Sequence, residues 1–156
     1  MAPEKQERGR VDNREVINDV LVNLFNEILR LEEEAIITDK YKDISNNDMH
    51  IIEAVGLGGG NMSSIADKLK ITVGSLTTSM NSLVKKGYVK RERSEKDRRV
   101  VFIQLTNKGR MAYHHHAEFH RQMTEAVLAE LNEDETEVLV KALDGLRKFF
   151  RQYHEQ

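Results

Sequence analysis

At the centre of this sequence, a run from about Val73 to Lys86 carries Leu76, Met80, Leu83 and Val84 at i, i+4, i+7 and i+8. That spacing puts all four on one face and predicts a helix buried on one side. The opposite face holds Ser75, Thr77, Thr78, Asn81, Ser82 and Lys85. These are mostly short side chains, unlike the long Glu/Lys pairs of a merely solvated helix, so the face suits close approach to another surface. Thr72 is placed to cap the helix and Gly87 to stop it. Ser63 to Lys70 predicts a shorter helix just before, with Ile65, Ala66 and Leu69 inward. Directly after comes a strand, Tyr88 to Arg93, a charged turn, Ser94-Glu95-Lys96-Asp97, then Arg98-Arg99 and the β-prone run Val100 to Leu105. Two strands around a basic tip form a hairpin.

The flanks are helical. Ile17, Leu21, Leu24, Ile28 and Leu31 advance by four, three, four and three, with Val20, Phe25 and Leu29 widening the stripe. Ser45 and Asp48 resemble a capping pair ahead of Met49, Ile52 and Val55. The glycines between Gly56 and Gly60 read as a flexible turn, since no strand precedes them and no Gly-Lys-Ser/Thr follows. A long helix runs from Thr106 through Phe119, Met123 and Val127. Asn132 with Glu135 starts another, in which Leu139, Leu143, Leu146, Phe150 and Tyr153 recur. The expected organisation is a polar disordered tail over residues 1–10 and a helical dimerisation region over 11–36 and 106–156. Residues 44–105 are expected to form the domain that carries the polar-faced helix and the basic hairpin. The fold class is mainly α with a small β-hairpin.

Charge sorts the function classes. The whole chain is nearly neutral, at −2, yet Ser63 to Arg110 holds twelve Lys and Arg against four acids, and the remainder carries an excess of ten negative charges. Such asymmetry marks a polyanion-binding segment within acidic scaffolding. The chain has no cysteine, which excludes disulfides and thiolate chemistry. No apolar run approaches the ~18 residues of a membrane span, and the first ten residues lack a signal-peptide core; a cytoplasmic protein without membrane contact is expected. Nucleophile-elbow, phosphate-loop and zinc-protease motifs are missing, so no enzyme is expected.

Duplex DNA is the polyanion these shapes fit. The major groove is about 12 Å wide and admits a helix with short polar side chains. Threonine methyls meet thymine methyls, and Asn81 and Ser75 reach base edges. Gly74 removes a side chain near the helix N-terminus, where free N–H groups favour phosphate. Lys85, Lys86, Lys90, Arg91 and Arg93 are expected on phosphates, adding affinity with little specificity. The basic hairpin reaches the neighbouring minor groove.

The hairpin Ser94-Glu95-Lys96-Asp97-Arg98-Arg99-Val100-Val101, with Leu105-Thr106-Asn107-Lys108-Gly109 after it, resembles the wing signature of MarR-type regulators. Ile65-Ala66 through Leu83-Val84-Lys85-Lys86-Gly87-Tyr88-Val89 is similar to that family's recognition unit. The resemblance covers Val16 to Tyr153. It implies a winged helix-turn-helix in a triangular homodimer built through the N- and C-terminal helices, with Asp97 bracing the wing, Arg99 entering the minor groove and Arg98 beside it. Leu31-Glu32-Glu33, Lys42-Asp43-Ile44-Ser45, Asp48-Met49-His50, Thr72 to Thr78, Arg93 to Val101 and Phe119-His120 are most similar to the fatty-acid-synthesis repressor, or FabT, branch. That branch implies repression of lipid-synthesis genes with a long-chain acyl-acyl-carrier-protein as corepressor, and no required cofactor.

The histidines leave two readings open. His116 and His120 stand one helical turn apart, a spacing that permits zinc chelation, and with His50 they fall where the resemblance to the family's zinc-sensing branch puts ligands. That branch adds carboxylates and can use cysteine; here His115 stands where an acidic ligand is expected. The FabT branch carries histidines at these places too. Phe25, Leu29, His50, His116, Phe119 and His120 are then the candidate effector-pocket residues, and His114 and His115 are expected to be exposed.

Overall fold

The computed structural model describes residues 12–36, 40–93, 95, 97 and 99–154. The expected disordered tail over 1–10 therefore lies outside the described residues, as do Lys96 and Arg98 of the wing. Helix α1 (Asn13–Asp19) is capped by Asp12, which accepts from the Arg14 N–H, and runs through a π-helical turn at Val20–Leu24 into α2 (Phe25–Ile36). Ser45 and Asp48 close the expected reciprocal capping box at the start of α3 (Asn46–Val55). Next come α4 (Met62–Leu69), capped by Asn61, and α5 (Val73–Lys85), capped by Thr72. Strands β2 (Val89–Arg93) and β3 (Val101–Leu105) pair antiparallel, Arg91 opposite Ile103. Helices α6 (Asn107–Leu128) and α7 (Glu133–His154) complete the chain, and Asn132 and Glu135 exchange bonds at the start of α7.

One element was not expected. Gly60 and Asn61 form a short strand, β1, paired with Ile103 and Phe102 of β3, so the hairpin is the larger part of a three-stranded sheet in the order β1-β3-β2. The glycine cluster is thus a turn that delivers a strand rather than a slack linker. Gly59 has φ +72°, and a Cβ there would meet the Ile103 carbonyl at 2.5 Å, so glycine is what lets β1 reach the sheet.

The chain divides into two compact units, one ending at His116 and the other beginning at Ala117. In the first, Met49, Ile52, Val55, Ile65, Leu76, Met80, Leu83, Tyr88 and Ile103 form a fully buried core. α3, α4, α5 and the sheet all contribute to it. The apolar stripe of α1 and α2, assigned to the dimerisation region, faces away from this core: Ile17, Leu21, Leu24, Phe25, Leu29 and Leu31 are exposed, while Glu32 and Ile36 are buried. In the second unit α7 exposes Val138, Val140, Leu143, Phe149, Phe150 and Tyr153. Among the described residues no helix is long and apolar enough to cross a membrane.

Candidate nucleic-acid interface

The inward face of α5 is Leu76, Met80 and Leu83, all at 0% exposure. Anchored there, the helix presents Gly74, Ser75, Thr77, Thr78, Asn81 and Lys85 to solvent, with Ser82 half-buried. Thr72 Oγ1 accepts from the Ser75 N–H at 3.1 Å, fixing the first turn. Thr77 spends its hydroxyl proton on the Val73 carbonyl at 2.7 Å, so it meets an outside partner with its methyl and as an acceptor only. A Cβ at Gly74 would meet nothing nearer than Thr72 Oγ1 at 3.9 Å. The protein's own packing does not demand glycine there.

The far end of α5 is held by charged side chains whose protein partners sequence reasoning passed over. Lys86, expected on phosphate, donates from its Nζ to Asp48 Oδ2 at 2.9 Å, tying the end of α5 to the cap of α3. Having a short, partly buried partner of opposite charge outweighs a solvated position. Gly87 takes φ +80°, a left-handed conformation that suits glycine. The Tyr88 hydroxyl then donates to Asp43 Oδ1 at 2.6 Å, and Lys108 Nζ donates to Asp43 Oδ2 and to the Lys86 carbonyl, both at 3.1 Å. Lys108 also lies 4.1 Å from the Tyr88 ring centroid. The Tyr88 hydrogen bond, followed by that of Lys108, holds the Asp43 carboxyl below the usual carboxylate range. Burial, with Asp43 next, pushes the Tyr88 hydroxyl far up.

Beside α5, strand alternation sends Arg91 and Arg93 to the helix side. They line a cleft of about 480 Å³ with Met62, Val73, Thr77 and Val101. Lys90 and Glu92 point the other way and pair at 2.5 Å. Arg91 is not simply a phosphate ligand in waiting, since its Nη2 donates to Asn81 Oδ1 at 2.7 Å. At the wing tip Asp97 Oδ1 accepts from the Arg99 N–H at 2.9 Å, and the Val100 N–H bonds the Asp97 carbonyl at 3.0 Å. Arg99 is exposed and lines a cleft with Asn61, Met62 and Ser63 at the start of α4.

The histidines occupy different environments. His116 is buried, its Nδ1 2.7 Å from Glu53 Oε1 and its Nε2 2.7 Å from Glu32 Oε1. A carboxylate oxygen on each ring nitrogen favours the form in which both nitrogens donate, the protonated imidazolium. Burial opposes that charge, but Glu53 and Glu32 together raise its pKa above the ordinary value. His50 Nδ1 lies 3.5 Å from Glu53 Oε2, and its ring sits edge-on to His116 at 6.1 Å. His114 is exposed, as expected, but His115 is half-buried: Nε2 lies 2.9 Å from the Ala35 carbonyl and the ring packs on Tyr41. Phe119 and His120 are half-buried neighbours with ring centroids 5.7 Å apart. Phe25 and Leu29 are exposed. Sequence reasoning did not single out Glu32 and Glu53 as partners of a histidine. A signal for the first exists: Glu32 lies four residues from both Ile28 and Ile36, on the inward side of α2, and a carboxylate there needs a cation.

Comparison with known proteins agrees with this geometry. A family model described as the transcriptional regulator SarA/Rot matches residues 34–115. The transcriptional regulator AdcR of Streptococcus pneumoniae is 29% identical over 106 residues, 66% of this chain and 73% of that protein. The structure of Streptococcus pneumoniae FabT in complex with DNA superposes with a TM-score of 0.81 at 38% identity, covering 90% of this chain and 99% of that one. An S. aureus MepR–DNA complex shares the fold, with a TM-score of 0.61 at 21% identity over 80% of this chain and 94% of that one. With the family model spanning more than half its length and a 38% identical relative matched almost end to end, this chain belongs to the MarR-type winged helix-turn-helix regulators of transcription, which bind DNA and are not enzymes.

Proposed function

We propose that the protein is a homodimeric repressor of lipid-synthesis genes. It binds an inverted-repeat operator through α5 and the wing, and a long-chain acyl-acyl-carrier-protein tightens that binding. The observation that carries this reading is the similarity to FabT over nearly the whole chain, joined to the FabT-branch motifs read from the sequence. A homodimer is supported by the apolar side chains exposed on α1, α2 and α7; surfaces of that kind mark association sites. Two-fold symmetry then asks for half-sites centred about one helical turn apart.

The wing and helix assignments separate by substitution. Arg99→Ala is expected to weaken operator binding about tenfold while leaving the dimer folded, on the scale of a lost groove contact. Thr78→Ala changes sequence preference, whereas Lys90→Ala weakens every duplex alike and lowers the salt dependence. Binding titrations on operator and scrambled duplex at several salt concentrations check all three; an Arg99→Ala protein that binds undiminished removes the wing from the interface.

A zinc-responsive repressor is the second reading, favoured by the convergence of Glu32, His50, Glu53 and His116, donor types that zinc accepts. Any metal bound by His116 must displace one of the carboxylates from its ring. A three-way titration decides. Operator affinity is measured with long-chain acyl-acyl-carrier-protein, with zinc and with a chelator. An acyl-dependent gain of about tenfold or more that survives the chelator, a typical allosteric coupling, is expected. A gain with zinc alone overturns the lipid reading.

A further inference from the structure

We propose that Arg91 is a positioning residue for base readout: it turns the Asn81 amide so that α5 leads into the groove with N–H donors at this position. The inference rests on α5 being the helix that enters the major groove.

The geometry admits only one orientation. A guanidinium has five donors and no acceptor, so the Asn81 atom it meets at 2.7 Å is the carbonyl oxygen and not the nitrogen. An amide whose flip is ordinarily ambiguous is here assigned by chemistry. Asn81 is exposed on the outward face of α5, and Arg91 reaches it from β2, whose alternation puts Arg91 and Arg93 on that side. The bond to a charged donor is stronger than one between neutral groups, and it sits on backbone anchored by the buried residues Met80, Leu83 and Val89.

The consequence is a change in what Asn81 can read. Free asparagine recognises adenine with two bonds, accepting from N6 with Oδ1 and donating to N7 with Nδ2. With Oδ1 drawn toward the strand, Nδ2 faces the bases. Two donors match guanine, which offers O6 and N7, and one matches thymine O4. They meet a donor on the exocyclic nitrogen of adenine or cytosine. The sequence alone suggested an asparagine reaching base edges beside a phosphate-binding arginine; the structure joins the two into one reader of acceptors.

The test is selection of duplexes with a randomised core by the full-length protein, followed by titration on the selected sites. Wild type is expected to prefer guanine over adenine about tenfold at one position in each half-site. Asn81→Ala flattens that position alone. Arg91→Met frees Oδ1, so adenine gains about tenfold over guanine at the same position, on top of a uniform loss from the missing charge. In the Asn81→Ala background, Arg91→Met produces only the uniform loss. Circular dichroism and sedimentation confirm that each variant remains folded and in the wild-type oligomeric state. An unaltered guanine-to-adenine ratio in Arg91→Met overturns the proposal, as does Asn81→Ala leaving every position unaltered. Ser75→Ala and Thr78→Ala in the same selection separate the levels. If they shift preferences and Arg91→Met does not, only the role of Arg91 fails; if none does, α5 is not the reader.

Discussion

Glu32→Ala is expected to destabilise the protein by about 2 to 3 kcal/mol, the scale of leaving one buried polar group of a hydrogen-bonded cluster without its partner. Glu32 and His116 are 5% and 0% exposed in their side chains, so water cannot replace the lost bond. The loss arises from leaving the buried Nε2 side of the ring without its acceptor, with Glu53 still facing the other nitrogen, rather than from the strength of the pair. Replacing Glu32 and His116 together by methionine should therefore recover most of it, because Glu53 is a third exposed and can turn to solvent. Acidity gives a second handle. His116 has a raised folded pKa against an ordinary value near 6.5. Its contribution to stability is fully present below that ordinary value and is lost as pH rises through the folded one. The gap between wild type and Glu32→Ala is thus largest in mild acid and narrows with rising pH. Denaturant unfolding at several pH values, with chelator present, checks this. A gap that widens toward alkaline pH would contradict a protonated His116.

Gly109→Ala is expected to cost about 3 kcal/mol, at the upper end of overpacking effects, and to lower the melting temperature by on the order of 10 °C. Gly109 is buried in the first turn of α6, and a Cβ there would stand 2.0 Å from the Tyr88 carbonyl oxygen. The nearest atoms are Tyr88 backbone and the Leu105 Cβ, neither of them the far end of a flexible side chain that could yield. The same carbonyl accepts from the Thr106 N–H at 3.0 Å, while Thr106 Oγ1 accepts from the Gly109 N–H at 3.1 Å and donates to the Gly87 carbonyl at 2.6 Å. The added methyl must push α6 away from the end of α5, so operator affinity falls along with stability. Calorimetry and duplex titration on the same preparation measure both. Wild-type stability in this variant would mean that α6 does not pack so closely on Tyr88.

Helix periods and caps made much of the architecture legible before any coordinates. Ser45 with Asp48, Thr72 and Asn132 with Glu135 are local signals, and each acts on backbone within three residues. The alternation and β-branching of β3 are local as well. What periodicity could not supply is which partner an apolar face meets. The stripe from Ile17 to Leu31 is regular and exposed, but its spacing did not reveal that the other side of α2 packs inward and carries the buried Glu32. The strand at Gly60–Asn61 was invisible because two residues carry no pattern and only β3 makes them a strand. In the interface, the outward face of α5 could be read residue by residue. The protein partners of Lys86 and Arg91 were not legible because Asp48 and Asn81 lie thirty-eight and ten residues away, and a basic side chain near a polar-faced helix looks the same whether or not it also meets protein.

Hydroxyl-radical footprinting of the selected operator, comparing wild type with Arg99→Ala, tests most directly whether α5 and the wing straddle adjacent grooves. Wild type is expected to protect two blocks centred about one helical turn apart, each flanked by a protected minor-groove segment. Arg99→Ala should keep the blocks and lose the flanking protection. Identical footprints from the two proteins, flanks included, would contradict the account.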